Sequence, residues 1–272
     1  MATVTPVTAQ FSSGVNVVEV YASVTDPSGQ PVKGLTRQDF EVRENGELQA
    51  VCSFIVGRFP LSAALALDRS FSMAGDRLAR VKAGARAFLE ALGPTDEAMI
   101  VAVGSRVETL APLSTKRQEQ LDAVARVDAF GTTGLHDAVI TAIDAVQPAK
   151  GRRALVLLSD GNDRYSTASA GDALGHARGA DVMIYPVALG RTRPPLFAEL
   201  ATLTGGRSFH VTDPKRLPDT LRAIAGELHE QYLLGYTPSR PLVPGGNEWR
   251  SISVTIKRSG LQVKARDGYL VK

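Results

Sequence analysis

Leu61-Ser62-Ala63-Ala64-Leu65-Ala66-Leu67 is a nearly unbroken apolar run that ends in Asp68-Arg69-Ser70-Phe71-Ser72. A short apolar run without polar alternation reads as a strand buried on both faces of a parallel sheet. Asp68, Ser70 and Ser72 then present three oxygen side chains at alternate positions where the strand runs out. Hard cations such as Mg2+ take about six oxygen ligands and suit sites with few carboxylates and several waters. The end of this strand is a candidate for such a site.

Two later segments are suited to supply further oxygens. Gly131-Thr132-Thr133-Gly134 precedes Leu135-His136-Asp137-Ala138-Val139, where the apolar spacing turns helical. Ala154-Leu155-Val156-Leu157-Leu158 is a second buried-strand run, and it ends in Ser159-Asp160-Gly161-Asn162-Asp163. In open α/β sheets, ligands bind outside the carboxyl ends of the strands. Asp68 and Asp160 are expected to share that edge. Asp and Ser are also ordinary turn and cap residues, so the first segment alone is a weak signal; three segments in order are a stronger one.

Asp68-x-Ser70-x-Ser72, then a Thr, then an Asp resembles the von Willebrand factor A domain with its metal-ion-dependent adhesion site. The resemblance spans residues 59 to 228. It implies Asp68, Ser70, Ser72, Thr133 and Asp160 around one divalent metal, Mg2+ first, with Mn2+ or Ca2+ as alternatives. Thr133 is preferred because Thr-Gly-Leu-His-Asp-Ala matches the family's Thr, small residue, Leu and helix start; Thr132 stays an alternative one position away. The implied function is metal-dependent, adhesion-type protein binding, in which a Glu or Asp of a partner protein coordinates the ion, and not catalysis. A scaffold whose metal only stabilises the fold is the second reading. The third is a haloacid-dehalogenase-like phosphatase, whose first Asp is a nucleophile beside Mg2+. Those enzymes usually carry a second Asp where this chain has Ser70.

The rest of the composition narrows the choice. The chain has 272 residues, 44% of them hydrophobic, and a formal net charge of +3, which suits one large α/β unit plus a smaller one. Its basic residues are spread without aromatic interleaving, which argues against nucleic acid as a partner. Cys52 is the single cysteine, so no intrachain disulfide forms, and its place in a strand reads as a small core residue. No apolar run reaches the roughly 18 residues that span a bilayer. Met1 to Pro6 has neither a basic segment nor a long apolar core, so it does not read as an intact signal peptide. His136, His176, His210 and His229 are scattered and lack His-Glu-x-x-His spacing, and no Gly-x-Ser-x-Gly elbow is present. Arg77, Arg80, Lys82 and Arg86 read as a solvated helix face. Nothing in the sequence assigns an oligomeric state.

Both flanks read as β-structure. Val18, Val20, Ala22 and Val24 alternate with polar residues, Asp26-Pro27-Ser28-Gly29 makes a turn, and Asn45-Gly46 signals a hairpin. Leu48, Ala50, Cys52, Phe54 and Val56 are expected to return on one face, making residues 11 to 57 β. Gln231 to Tyr236, Ser251 to Lys257 and Leu261 to Ala265 read as strands, with a loop from Pro238 to Gly246. The expected organisation is a β segment (residues 1–58), the metal-site domain (59–228) and a second β segment (229–272) that packs with the first into a small β-sandwich. These flanks, closing on Gly268-Tyr269, resemble the bacterial VWFA-related family as expanded in Acidobacteria. Members of that family usually carry export signals, so an exported protein, periplasmic or extracellular, is expected, with a cytoplasmic one as the alternative.

Between the flanks, the element order predicts an α/β fold, a doubly wound, mostly parallel sheet flanked by helices. Leu78, Val81, Ala85, Phe88 and Leu92 give a helical stripe that stops at Gly93-Pro94, and a strand follows from Ala98 to Val103. Helices are read around Leu121 to Val127 and from Leu135 to Val146. A strand from Asp181 to Ala188, a helix from Pro195 to Leu203, a strand from Ser208 to Val211 and a helix from Pro218 to His229 complete the segment.

Overall fold

The computed structural model describes residues 17–57, 59–242 and 247–271. The β reading of residues 11–16 and the loop residues 243–246 lie outside them. The first elements are β1 (Val18–Thr25), β2 (Phe40–Glu44), β3 (Glu47–Gln49) and β4 (Val51–Gly57). An α/β segment follows with β5 (Leu61–Asp68), α1 (Asp76–Ala91), β6 (Glu97–Val103) and β7 (Val107–Ser114). It continues with α2 (Arg117–Ala125), α3 (Leu135–Val146), β8 (Arg152–Ser159) and α4 (Ala170–Gly179). β9 (Met183–Leu189), α5 (Pro195–Thr204), β10 (Phe209–Val211) and α6 (Leu217–His229) end it. The chain returns to β-structure in β11 (Gln231–Tyr236), β12 (Glu248–Ile256), β13 (Gln262–Lys264) and β14 (Gly268–Val271).

Every residue of β5 is buried, as a strand covered on both faces requires. The central sheet runs β10-β9-β8-β5-β6-β7 and is parallel except for β7, which pairs antiparallel with β6. Alternation sends Ala63, Leu65 and Leu67 to one side, where Val81 and Phe88 of α1, Val124 of α2 and Leu221 of α6 cover them. Ala64 and Ala66 point to the other side, against Val139 of α3, Ala173 of α4 and Phe197 of α5. Small alanines at the centre let helices approach closely, while a leucine such as Leu65 contributes about 1.5–3 kcal/mol by leaving water.

The two flanks form the expected sandwich. One sheet has the order β13-β1-β11-β4 and the other β14-β12-β2-β3. They share one core, in which Val20, Ala22 and Leu234 of the first meet Phe40, Val42 and Ile252 of the second. Buried Arg250 pairs with Glu44 at 3.1 Å, and Glu44 also accepts hydrogen bonds from the hydroxyls of Tyr236 (2.7 Å) and Tyr269 (2.8 Å). All charged members of that buried group are therefore compensated.

One register differs from the expectation. Leu48, Ala50 and Cys52 are exposed, whereas Gln49 and Val51 are buried. The run is two strands in two sheets, because β3 pairs with β2 and β4 with β11. Gln49 tolerates the inward position because its amide donates to Ser239 Oγ (3.1 Å) and accepts from the Ser239 N–H (3.0 Å). Since a strand has period two, Gln49 inside turns Leu48 and Ala50 outward. Cys52 is set out by a bulge in β4, where Gly235 pairs with Ser53 and Tyr236 with Val51, so that Phe54 still packs on the core as expected. Cys52 is accordingly a surface thiol and not a core residue.

The last helix is tied down by a buried pair. His229 Nε2 lies 2.7 Å from Asp96 Oδ2, and both side chains are 4% exposed. Burial alone would raise the Asp96 carboxyl, but hydrogen bonds from His229 and from the Gly93 and Leu61 N–H groups outweigh it and hold the carboxyl below its usual range. A depressed carboxylate stabilises the fold above its unfolded pKa of about 3.9 and loses that contribution as pH falls through the lower folded value. Asp96→Asn is expected to cost about 1 kcal/mol or more at pH 7. The gap to the parent protein should narrow as pH falls below about 4 in denaturant titrations; a gap that stays constant with pH would contradict this.

Candidate metal centre

Parallel pairing puts Leu67 of β5 opposite Leu158 of β8, so the two strands deliver Asp68 and Ser159-Asp160 to the same edge. Ser159 Oγ donates to Asp68 Oδ2 at 2.6 Å, and the Ser70 N–H donates to Asp68 Oδ1 at 2.9 Å. A single 3-10 turn, Phe71–Met73, folds the chain back so that Ser70 Oγ and Ser72 Oγ are 3.1 Å apart. Ser72 Oγ in turn donates to Asp160 Oδ2 at 2.8 Å. Four of the five residues singled out in the sequence thus form one connected group.

The fifth is carried by a loop that docks on the first. The Phe130 N–H donates to Arg69 O (2.7 Å), and the Phe71 N–H donates to Gly131 O (3.0 Å). Gly131 has φ +70°, and a Cβ there would run into Ser105 Oγ. Beyond it, Thr133 is 3% exposed, while Thr132 is exposed with its hydroxyl 3.3 Å from Ser105 Oγ. Of the two threonines, Thr133 faces inward.

Residues that the sequence did not single out for these roles hold the loop. The Thr133 carbonyl accepts from the N–H groups of Arg164 (2.9 Å) and Tyr165 (3.1 Å), which follow Asp160 in the chain. Asp163 Oδ1 accepts the Leu135 N–H at 2.7 Å, and Ser166 Oγ accepts the His136 N–H at 2.9 Å. The start of α3 is therefore capped from a distant segment, where its own Gly134 offers no side chain. Asp137 completes the clasp by accepting the Thr167 and Ala168 N–H groups, both at 2.9 Å. The only sequence signal for this was the density of Asp and Ser on both sides.

Electrostatics set what the group can hold. Asp68 is fully buried, and that burial pushes its carboxyl up; the charge of Asp160 adds to the rise, while hydrogen bonds from Ser159 and Ser70 offset part of it. The nearest arginine does not compensate it, because Arg69 pairs with Glu108 at 2.6 Å and stacks 5.1 Å from the Phe130 ring centroid. A site with two carboxylates, several hydroxyls and, among the described residues, no side-chain cation paired with either carboxylate fits a hard divalent ion. No cluster of three or more His, Cys, Asp or Glu that could hold a metal occurs among the described residues, and the candidate set itself has two carboxylates, its other oxygens being hydroxyls.

Residues 64–162 match the family model described as von Willebrand factor type A domain. No curated protein matches the chain. A von Willebrand factor type A protein of Catenulispora acidiphila is similar over 93% of this chain and 72% of its own, with TM-score 0.57 and 14% identity. The vWF domain of the type V pili tip protein Mfa5 of Porphyromonas gingivalis is similar over 62% of this chain and 95% of its own, with TM-score 0.53 and 11% identity. Proximal thread matrix protein 1 of the mussel byssus, solved with a zinc-occupied MIDAS motif, is similar over 68% of this chain and 49% of its own, with TM-score 0.55 and 16% identity. At these identities the likeness establishes the fold. Among the described residues, no helix is long and apolar enough to cross a membrane.

Asp163→Ala should destabilise the protein by about 1–2 kcal/mol through loss of the α3 cap. Thermal denaturation checks this. An unchanged melting temperature would show that the Asp163 carboxylate does not hold the Thr133 loop.

Proposed function

We propose that this chain is a metal-dependent protein-interaction module in which Asp68, Ser70, Ser72, Thr133 and Asp160 hold one divalent ion, Mg2+ first, with Mn2+ or Ca2+ able to replace it. The observation that carries the reading is a fully buried Asp68 beside Asp160 with, among the described residues, no side-chain cation paired with either. A bound divalent ion supplies an electrophilic coordination position for an Asp or Glu carboxylate of a partner protein. The chain's own part is to keep Ser70 and Ser72 in one tight turn, to hold the Thr loop against them, and to bury Asp68 away from competing water. Ser70 stands where a haloacid-dehalogenase-type phosphatase carries its general acid, so the geometry favours binding over phosphoryl chemistry.

The mussel protein with zinc at its MIDAS motif supports divalent binding on this fold, and the pilus-tip relative supports an adhesive role. The unit that binds is read as residues 59–228, inserted between the β segments 1–58 and 229–272. We further read the whole arrangement as an exported bacterial protein of the VWFA-related type, a reading supported by the similarity to a pilus-tip protein.

Titration calorimetry of chelator-stripped protein tests the site. Mn2+ should bind saturably to the parent protein and at least about tenfold more weakly, a loss of about 1.4 kcal/mol, to Asp68→Asn and to Thr133→Ala. Because Asp68→Asn also removes a buried charge, its melting temperature without metal should equal or exceed that of the parent. Equal Mn2+ affinity in all three proteins would dismiss the assignment. If Mn2+ raises the melting temperature but acidic partners bind equally well with and without it, the site is a structural one only.

A further inference from the structure

Three aromatic side chains stand exposed around this site. Phe71 is 68% exposed, Tyr165 61% and Phe130 41%, and among the described residues they are the only aromatics so exposed. Phe71 lies between Ser70 and Ser72, Phe130 opens the Thr loop, and Tyr165 closes over the same loop. Each is fixed by its backbone, through Phe71 N–H to Gly131 O (3.0 Å), Phe130 N–H to Arg69 O (2.7 Å) and Tyr165 N–H to Thr133 O (3.1 Å). The rings are thus mounted on the hydrogen bonds that assemble the candidate ion site. Exposed aromatics gathered at one place mark an interaction surface, since such side chains dominate the buried centres of interfaces.

Arginines surround these rings. Arg106 lies 6.0 Å from the Phe130 ring centroid, and Arg77 donates to Ser72 O at 3.2 Å. Arg164 adjoins Tyr165, and the loop that follows Arg191 reaches the site through Pro194, against which a Cβ on Gly161 would collide, while Arg191 lines a shallow cleft with Arg77. Arg77, Arg164 and Arg191 are exposed and form no ion pair among the described residues. Asp76 and Asp128 are exposed acids nearby and half-buried Glu108 is paired with Arg69, so the rim remains positive.

Resting on the metal-dependent reading above, we infer that the partner is a protein segment whose Glu or Asp is flanked directly by apolar or aromatic residues, with further acidic residues beyond them. The flanking side chains cover Phe71, Phe130 and Tyr165, and the outer acids face the arginines. In an extended segment, neighbouring residues lie about 3.4 Å apart. The positions adjoining the carboxylate are therefore the ones that meet Phe71, which sits between two of the serines proposed to hold the ion.

The test uses the full chain with Mn2+ and labelled nine-residue peptides, each with a central Glu, Asp at both ends, and either Leu and Phe or only Ser beside the Glu. Peptides with central Gln and titrations in chelator run in parallel. The Leu and Phe peptides should bind at least about tenfold more tightly than the Ser peptides. The double variant Phe71→Ser with Tyr165→Ser should erase that preference while keeping the parent's Mn2+ affinity and melting temperature. Equal affinity for both flanks, with dependence on Glu and Mn2+ retained, overturns the aromatic surface and leaves the metal reading standing. Binding that ignores both central Gln and chelator overturns the metal reading itself. No peptide binding at millimolar concentration to Mn2+-loaded protein overturns the inference, as does loss of Mn2+ affinity in the double variant.

Discussion

Asp68 and Asp160 end adjacent parallel strands, and Asp68 is wholly enclosed at the point where the sheet's strand order reverses. Burying a carboxylate beside another one raises its energy, and hydrogen bonds from Ser159 and Ser70 recover only part of that. The surrounding architecture keeps this arrangement in place. The 3-10 turn at Phe71–Met73, the Thr133 loop and the segment from Asp160 to Ser169 hydrogen-bond to one another, and each would lose its partners if one were displaced. A charge that the protein does not neutralise itself is thereby held in a rigid, oxygen-lined setting, which is what selective binding of a hard cation needs.

The β-sandwich meets the sheet at the opposite ends of its strands. Arg152, the first residue of β8, donates to Gln231 Oε1 at 3.1 Å, and Gln231 donates to Ser23 Oγ of β1 at 2.7 Å. Asp96 gathers the start of β5, the turn before β6 and the end of α6 in the same region. The carboxyl edge of the sheet is left uncovered by the flanks, with three aromatic rings and several arginines around it.

Much of the centre was legible because its signals are strong. The unbroken apolar runs of β5 and β8 admit few alternatives, and the oxygen residues follow each run directly. The antiparallel edge strand β7 was missed because its burial is mixed, and α4 because Gly171, Gly175 and Gly179 dilute its helical pattern. β14 is only four residues long, the facing of β3 turned on Gln49 finding its partner in Ser239, a contact 190 residues away, and that of β4 on a bulge against β11. The capping of α3 by Asp163 and the exposure of Phe71 depend equally on tertiary placement. A phenylalanine between two serines reads no differently in sequence when it is buried.

Crystals of the protein grown with Mn2+ and measured at the manganese absorption edge test the central claim most directly. A single anomalous peak at the carboxyl ends of β5 and β8, bounded by the oxygens of Ser70, Ser72 and Thr133 with Asp68 and Asp160 beside it, is the predicted result. The absence of a peak there at saturating Mn2+, or a peak on other side chains, would contradict it.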